Sequence, residues 1–266
     1  MESVFSYDYA TLETMLRSFL WPFFRISGMF MSMVIIGSSI ISPQKRLILA
    51  LVVTMVVVPV LPAMPMVELV GVDAFIISIH QVIIGVAIGF VSRLIFETFI
   101  VGGQIVAMSS GLGFAQINDP SSGVTVPAVG QFFLMIATLV FLSVDGHLFM
   151  FEIIVTSFTT LPVTRSGMPM VSIYELLNFA GTMFSAGLMM ALAAVISLLM
   201  VNLSFGILTK VAPTLNIFAI GFPIILTFGL LILWFTLGGF LSHFDSQYAS
   251  GKRVMCSMAV LECANG

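Results

Sequence analysis

The chain has 266 residues, of which 59% are hydrophobic and only 8% are charged, and its formal net charge is −3. A soluble domain carries about 25% charged residues, so this composition, with a mean hydropathy of +1.18, predicts an integral membrane protein. Its nine Lys and Arg residues form no basic face that could neutralise phosphates, which argues against a nucleic-acid partner.

The chain begins with an acidic amphipathic stretch, and no basic residue precedes Arg17. This is the reverse of the positively charged start of a secretory signal, so no cleaved signal is expected. A first apolar helix is predicted from Phe19 to Ile41, which is long enough to cross a bilayer.

A second span is predicted from Leu47 to Leu61, with breaks at Pro59 and Pro62. Ser42-Pro43 separates it from the first span, and Lys45-Arg46 is the clearest basic pair between two early spans. Because cytoplasmic loops are enriched in Lys and Arg, this turn is expected to face the cytoplasm.

A third helix is predicted from about Ala74 to Ile100. It contains Gly85 and Gly89, a small-xxx-small pair that allows another helix to approach closely. His80-Gln81 on the same helix are expected to be hydrogen-bond partners between helices, because no second histidine or carboxylate stands at metal-ligand spacing.

Arg93 and Glu97 are opposite charges at i,i+4 spacing in this otherwise apolar helix. Pairing would lower the cost of placing either charge at membrane depth. Three interpretations remain open: an intramembrane ion pair that fixes helix packing, an ion pair at the cytoplasmic end of the helix, and a proton or ion relay.

The stretch from Gly102 to Gln131 interrupts the apolar pattern with glycines, hydroxyl residues and an Asn118-Asp119-Pro120 turn. Lipid cannot satisfy the polar groups of irregular backbone, so such a segment must lie inside protein, line a wet cavity or leave the hydrocarbon. We therefore predict that residues 102–127 form the functional loop.

A helix is predicted from Pro127 to Val144, and Asp145-Gly146-His147 turns the chain into a return segment from Leu148 to Leu161. The return segment contains Glu152 and is short for a spanning helix. A helical hairpin that does not fully cross fits this pattern better.

Two very long helices are predicted from Ser172 to Leu208 and from Thr214 to Phe244, each longer than a bilayer needs. They must tilt, bend or project from the membrane. Bends are expected where small residues or a proline weaken the helix, at Asn202, Gly206, Gly221 and Pro223.

The predicted organisation is one helical membrane domain, residues 1–244, followed by a polar C-terminal tail, residues 245–266. The tail holds Cys256 and Cys263, which are expected to be two ordinary thiols. No metal or cofactor site is predicted. Counting Lys210 and the basic residues of the tail gives contradictory topologies, which indicates that the helices are not a simple stack of spans.

Several segments together resemble the FliR family, the R-type subunit of the flagellar type III export gate. They lie in the expected order along most of the chain. They are Trp21-Pro22-xx-Arg25, Pro43-xx-Arg46, Gln81-xxx-Gly85-xxx-Gly89-Phe90, Gly111-Leu-Gly-Phe-Ala115 with Asp119-Pro120, Gly146-His147, Val201-Asn202-Leu203, and Ala212-Pro213-xx-Asn216-Ile217-Phe218-xx-Gly221-Phe222-Pro223.

This resemblance implies an all-α membrane protein of long, bent helices and helical hairpins, which packs with FliP-type and FliQ-type subunits in the bacterial inner membrane at the flagellar basal body. It also implies an FlhB-type switch protein and an FlhA-type export protein as partners, and unfolded flagellar proteins as substrates. In the family, the loop after the third helix is a channel plug. The matching positions are Gly111, Leu112, Gly113, Phe114, Ala115, Gln116, Ile117, Asp119 and Pro120.

An apolar, deformable constriction suits such a channel, because it can block ions by dewetting and offers passing side chains no fixed hydrogen-bond pattern. Phe114 and Ile117 would supply the apolar plug. The alternative is that Phe114 merely anchors the loop between helices.

Three classes of function therefore compete. The first is a non-catalytic gate subunit for protein export. The second is an ion-coupled secondary transporter of a small solute, which would use broken helices and ionisable residues. The third, an intramembrane enzyme, lacks a recognisable nucleophile, base and metal set.

Overall fold

The structure, a computed structural model, describes residues 9–38, 40–68, 71–114, 116–118, 125–211, 217–261 and 263. Almost all of the described secondary structure is helical, which confirms the predicted all-α membrane fold. The helices are α1 (Tyr9–Ser32), α2 (Pro43–Val57), α3 (Val72–Ser109), α4 (Ala128–Ser143), α5 (Gly146–Thr160), α6 (Met170–Val211), α7 (Ile217–Gly238) and α8 (Phe240–Met258). Two three-residue strands, β1 (Gln116–Asn118) and β2 (Thr125–Pro127), and two short 3-10 helices, Val58–Val60 and Leu112–Phe114, complete the described elements.

Three helical stretches within the described residues are long and apolar enough to cross a membrane: Pro43–Val60, Val72–Ser109 and Met170–Leu208. Two further helix pairs meet the same test if each pair counts as one broken span. These are α4 with α5, and Pro223–Gly238 with α8. A span needs about 20 apolar residues, so α3 and α6, with 38 and 42 residues, are both overlong.

The chain divides into two compact units. Unit 1 comprises Met1–Arg93, Asp145–Leu177 and Lys252–Gly266, and unit 2 comprises Leu94–Val144 and Asn178–Gly251. Helices α3, α6 and α8 contribute residues to both units.

In unit 1, glycines bring α1 and α3 into backbone contact. A Cβ atom at Gly28 would lie 2.7 Å from the Val82 carbonyl oxygen, and one at Gly85 would overlap the Arg25 carbonyl group. A Cβ atom at Gly89 would overlap the Ser32 hydroxyl group. The small-xxx-small prediction for Gly85 and Gly89 is therefore confirmed, and the helix that approaches is α1.

An apolar cluster lies beside this helix crossing in unit 1. Its fully or almost fully buried members come from α1, α3, α5 and the segment after α5. They are Trp21, Ile77, Phe158 and Val163, with Phe24, Leu61, Met64 and Val67 packed against them.

In unit 2, the C-terminal part of α3 packs against α4 and α6 through further glycines. A Cβ atom at Gly103 would lie 2.6 Å from the Gly130 Cα atom on α4, and one at Gly187 on α6 would lie 3.0 Å from the Thr98 carbonyl oxygen. The Gln247 side chain of α8 donates a buried hydrogen bond of 2.9 Å to the Thr98 hydroxyl group. Small residues and side-chain hydrogen bonds of this kind hold helices together where lipid removes the hydrophobic driving force.

Two predicted helix ends are wrong. Helix α1 ends at Ser32 and not at Ile41, and turns follow from Met33 to Ser38. Helix α3 continues through Gly102 and Gly103 to Ser109. Both glycines are buried at helix contacts, so they permit close packing and do not begin the loop.

The predicted helix from Thr214 to Phe244 is also wrong, because the chain breaks at Gly239 between α7 and α8, with a bend of 52°. Gly238-Gly239 supplies the flexible backbone for this break.

The expected boundary between a membrane domain and a polar tail at residue 245 lies inside α8. The buried positions of this helix follow a helical period of three to four residues. They are Phe240, Phe244, Gln247, Gly251, Met255, Cys256 and Met258. Cys256 and Cys263 form a disulfide, so the expectation of two separate thiols is wrong.

Candidate functional site

The chain leaves helical geometry after α3, and we call residues 110–127 the loop segment. Gly111 has a φ of 74°, a left-handed conformation that glycine adopts without strain. The 3-10 helix Leu112–Phe114 follows, and then strand β1. Gly111, Leu112 and Gly113 are half-buried.

Strands β1 and β2 form an antiparallel ladder of three residue pairs. Gln116 lies opposite Pro127, Ile117 opposite Val126 and Asn118 opposite Thr125. Both strands and the preceding 3-10 helix contact α4. The ladder is short, and Pro127 cannot donate a backbone hydrogen bond to it.

The start of the loop segment is held by close packing. Ser110 is completely buried, and its hydroxyl group donates to the Ala107 carbonyl oxygen at 3.1 Å. A Cβ atom at Gly229 on α7 would lie 2.6 Å from the Ser110 Cβ atom. A Cβ atom at Gly113 would lie 2.8 Å from the Met108 sulfur, a flexible side chain that can give way.

A second polar site lies in unit 1, where the guanidinium group of Arg25 is completely buried. Its Nε donates to Gln81 Oε1 at 2.7 Å, and one terminal nitrogen donates to the Ser157 carbonyl oxygen at 2.9 Å and hydroxyl oxygen at 3.0 Å. The other terminal nitrogen donates to the Leu161 carbonyl oxygen at 2.9 Å. Its Cζ atom lies 4.1 Å from the ring centroid of Phe158.

Arg25 therefore ties α1 to α3 and to the C-terminal end of α5. A buried charge is tolerated when every donor has an acceptor with good geometry. Sequence reasoning missed this site. The signal was present, because Trp21-Pro22-xx-Arg25 and Gln81-xxx-Gly85 were both recognised as motifs, but nothing in either motif shows that they touch.

Comparison with known proteins now decides the family. The family model described as "Bacterial export proteins, family 1" matches residues 16–251. The chain belongs to this family.

Curated relatives of this export-family chain are flagellar biosynthetic proteins FliR. The protein from Pectobacterium carotovorum subsp. carotovorum is 35% identical over 81% of this chain and 82% of its own length. The protein from Escherichia coli (strain K12) is 32% identical over 82% and 83%, and that from Aquifex aeolicus (strain VF5) is 29% identical over 86% and 89%. The resemblance to the FliR family is thus confirmed.

Of the predicted plug positions in this export-family chain, the structure brings Gly111, Leu112, Gly113 and the backbones of Phe114, Gln116 and Ile117 together beside α4. Ala115, Asp119 and Pro120 lie outside the described residues. The plug role of all nine positions stays a prediction.

The predicted ion pair lies on α3, where Arg93 is exposed and Glu97 is half-buried. Their pairing stays a prediction. Gln81 is confirmed as a hydrogen-bond partner between helices through its contact with Arg25.

The four predicted bends also stay predictions. Helix α6 passes through Asn202 and Gly206 without interruption, and α7 contains Gly221 and Pro223 within its helix.

Among the described residues, no three His, Cys, Asp or Glu side chains are grouped so that they could hold a metal ion.

Proposed function

We propose that this chain is a non-catalytic subunit of the flagellar type III export gate in the bacterial inner membrane, and that the loop segment plugs the export channel. The match to FliR proteins over four fifths or more of the chain carries the first part of the proposal. The second part rests on the geometry of the loop segment.

The loop segment combines two properties that a plug requires. Its entry is fixed, because Ser110 is buried between α3 and α7, while its interior is held by three ladder pairs and by contacts with α4. A short ladder opens more readily than a helix, since few hydrogen bonds must break together. The loop can therefore move on a fixed base.

Partner subunits would account for the large apolar surface. In the span Pro43–Val60 only 11% of the residues are buried within the chain, and in an 18-residue apolar stretch of Met170–Leu208 only 28% are. Lipid covers part of such a surface. The proposed partners are FliP-type and FliQ-type subunits within the gate, with an FlhB-type switch protein and an FlhA-type export protein beside it.

Gentle extraction of the tagged chain from membranes, followed by mass analysis, tests the first part. We expect two other small hydrophobic gate subunits to co-purify. If the chain is isolated alone and takes up a small solute when reconstituted in liposomes, the secondary-transporter alternative replaces the proposal.

Conductance through the assembled gate tests the plug. Phe114→Ala combined with Ile117→Ala, or deletion of residues 111–117, should raise ion leakage while co-purification of partner subunits is retained. Leu139→Ala, a truncation of an exposed side chain on α4, is the matched control and should leave leakage unchanged. Unaltered conductance in assembled plug variants would rule out the plug role.

A further inference from the structure

The two cysteines lie beyond residues 16–251, the part of the chain that the family model matches. Cys256 is in the last turn of α8, Cys263 follows the helix, and the two form a disulfide. Their Cα atoms are 5.9 Å apart, inside the range of about 4.4–6.8 Å that a disulfide can bridge.

The disulfide closes around a strained helix end. The Leu261 N–H group donates to the Cys256 carbonyl oxygen at 2.8 Å, and the Val260 N–H group donates to the Ser257 carbonyl oxygen at 3.0 Å. This is the Schellman arrangement, in which the residue after the helix takes a left-handed conformation and is usually glycine. Here it is Val260, with a φ of 53°, and a β-branched residue is strained in that conformation.

Side chains of two neighbouring helices hold the same helix end. The Thr160 hydroxyl group at the end of α5 donates to the Ala259 carbonyl oxygen. The Ser172 hydroxyl group near the start of α6 donates to the Ser257 carbonyl oxygen at 3.3 Å. The turn closed by the disulfide is thus part of the packing of unit 1 and not a detached tail.

The placement of this turn relative to α2 indicates its side of the membrane. Leu61, which directly follows the candidate span Pro43–Val60, packs in one cluster with Val163, just after the end of α5. Lys45 and Arg46 lie at the opposite end of that span. If those basic residues mark the cytoplasmic side, the end of α5, and with it the disulfide, lies on the other side.

Two basic residues of unit 1, Arg165 and Lys252, have partners within the unit. Arg165 lies 3.0 Å from a carboxylate oxygen of Asp73. The Lys252 ammonium group lies 4.9 Å from the ring centroid of Phe149.

We propose that Cys256 and Cys263 are an oxidative modification site: a disulfide formed outside the cytoplasm that staples the end of α8 to the packing of unit 1. The proposal rests on the proposed location in the inner membrane, because disulfides persist in the periplasm and are rare in the cytosol. The two thiols lose two protons and two electrons to the disulfide of a periplasmic thiol–disulfide oxidase, which becomes a dithiol.

Counting free thiols tests whether the disulfide forms and whether it forms in the periplasm. Cells are quenched in acid, the denatured protein is treated with a polyethylene-glycol maleimide with or without prior reduction, and adducts are counted by gel mobility. We expect no adduct before reduction and two after it, and two before reduction in a strain without the periplasmic oxidase. Two adducts before reduction in cells that have the oxidase would overturn the disulfide, and none in the strain that lacks it would overturn the proposed compartment.

The staple itself is tested by thermal unfolding in detergent. Cys256→Ser with Cys263→Ser should lower the melting temperature by roughly 5 °C, and reductant should do the same to the natural chain but not to the variant. Adding Val260→Gly to the serine variant should restore part of the loss, since glycine takes the left-handed conformation without strain. Equal melting temperatures with and without reductant would overturn the staple.

Export and co-purification are measured on the same variants, so the two proposals fail separately. Loss of partner subunits from the natural chain contradicts the gate function, whereas an unchanged thiol count and melting temperature contradict the disulfide alone. Ser257→Ala, which keeps both cysteines, is the matched control and should retain the reductant effect.

Discussion

The backbone is held differently in the Arg25 site of unit 1 and in the loop segment of unit 2. Arg25 makes four hydrogen bonds to three residues, on α3, on α5 and directly after α5, and contacts the ring of Phe158. The described residues of the loop segment form three ladder pairs and make glycine contacts. The first region is fixed because releasing it would leave a charge and several acceptors unsatisfied in an apolar interior. The second is expected to open at smaller cost, because its described ladder holds three residue pairs.

The difference indicates how a membrane protein can separate a scaffold from a moving part without a large polar core. Glycine contacts occur in both regions, so close helix packing alone does not distinguish them. Among the described residues, what distinguishes them is the buried guanidinium network of Arg25, which a movement of the Arg25 site would break. Variants of the Arg25 site should therefore change stability more than channel leakage. Variants of the loop segment should change channel leakage more than stability.

The largest loss of stability is expected for Arg25→Ala. The substitution leaves buried acceptors of Gln81, Ser157 and Leu161 without their donor, and each unsatisfied buried acceptor costs about 1–3 kcal/mol. Thermal unfolding or protease resistance of the purified chain in detergent measures the loss. Arg25→Lys should not restore stability, since an ammonium group cannot reproduce the guanidinium fork.

Arg165→Ala is the matched control for Arg25→Ala. Arg165 is 60% exposed and pairs with Asp73, itself 48% exposed, and exposed pairs contribute at most about 1 kcal/mol. If both substitutions lowered stability equally, the Arg25 network would not be the scaffold that its geometry indicates.

Gly85→Leu is expected to cost less than Arg25→Ala. Its side chain would collide with the backbone of α1 at Arg25, and overpacking of a close contact costs about 1–3 kcal/mol. Gly181→Leu on α6 is the control, because no described residue beyond the local helix backbone comes within 4 Å of a Cβ atom at Gly181. Comparable unfolding temperatures for the two variants would show that α1 and α3 are not held at their glycine crossing.

In the loop segment, Ile117→Pro should cost at most about 1 kcal/mol, since it disrupts a ladder of three residue pairs. Ion leakage through assembled gates should nevertheless rise, because β1 would no longer pair with β2. Ile117→Val, which keeps a β-branched strand residue, should change neither quantity. A loss of stability as large as that of Arg25→Ala would remove the contrast between the two regions.

The sequence predicted the membrane class, α4 and α5 almost to the residue, and the role of Gly85, because apolar composition, prolines, a tight turn and small-residue spacing are local signals. It misplaced the end of α3, since Gly102 and Gly103 have the composition of a loop but serve as contacts for α4 and α6. Whether a glycine lies in a loop or at a helix contact depends on which helix packs against it, and the tertiary structure determines that neighbour.

For the candidate site, the sequence located the loop segment, and the resemblance supplied its expected role. The Arg25 network was not predictable, because its acceptors are up to 136 residues away along the chain. The sequence from Phe240 to Met258 contains the helical period of α8. The low mean hydropathy of this stretch led to its prediction as a polar tail. An amphipathic helix is recognised by the order of its residues and not by their mean hydropathy.

The smallest effect is expected for the predicted pair Arg93 and Glu97. Since Arg93 is exposed and Glu97 half-buried, coupling in water would be about 0.3–0.5 kcal/mol, and surrounding lipid would enlarge it. Arg93→Ala should then impair gate assembly more than Arg93→Ala with Glu97→Ala, because the single substitution leaves the Glu97 carboxylate without its partner charge. Co-purified partner subunits are measured for each single variant and the double variant, and the cycle isolates the coupling. Additive losses would show that the two charges act separately, and α3 would then carry a charged position whose role lies outside this helix.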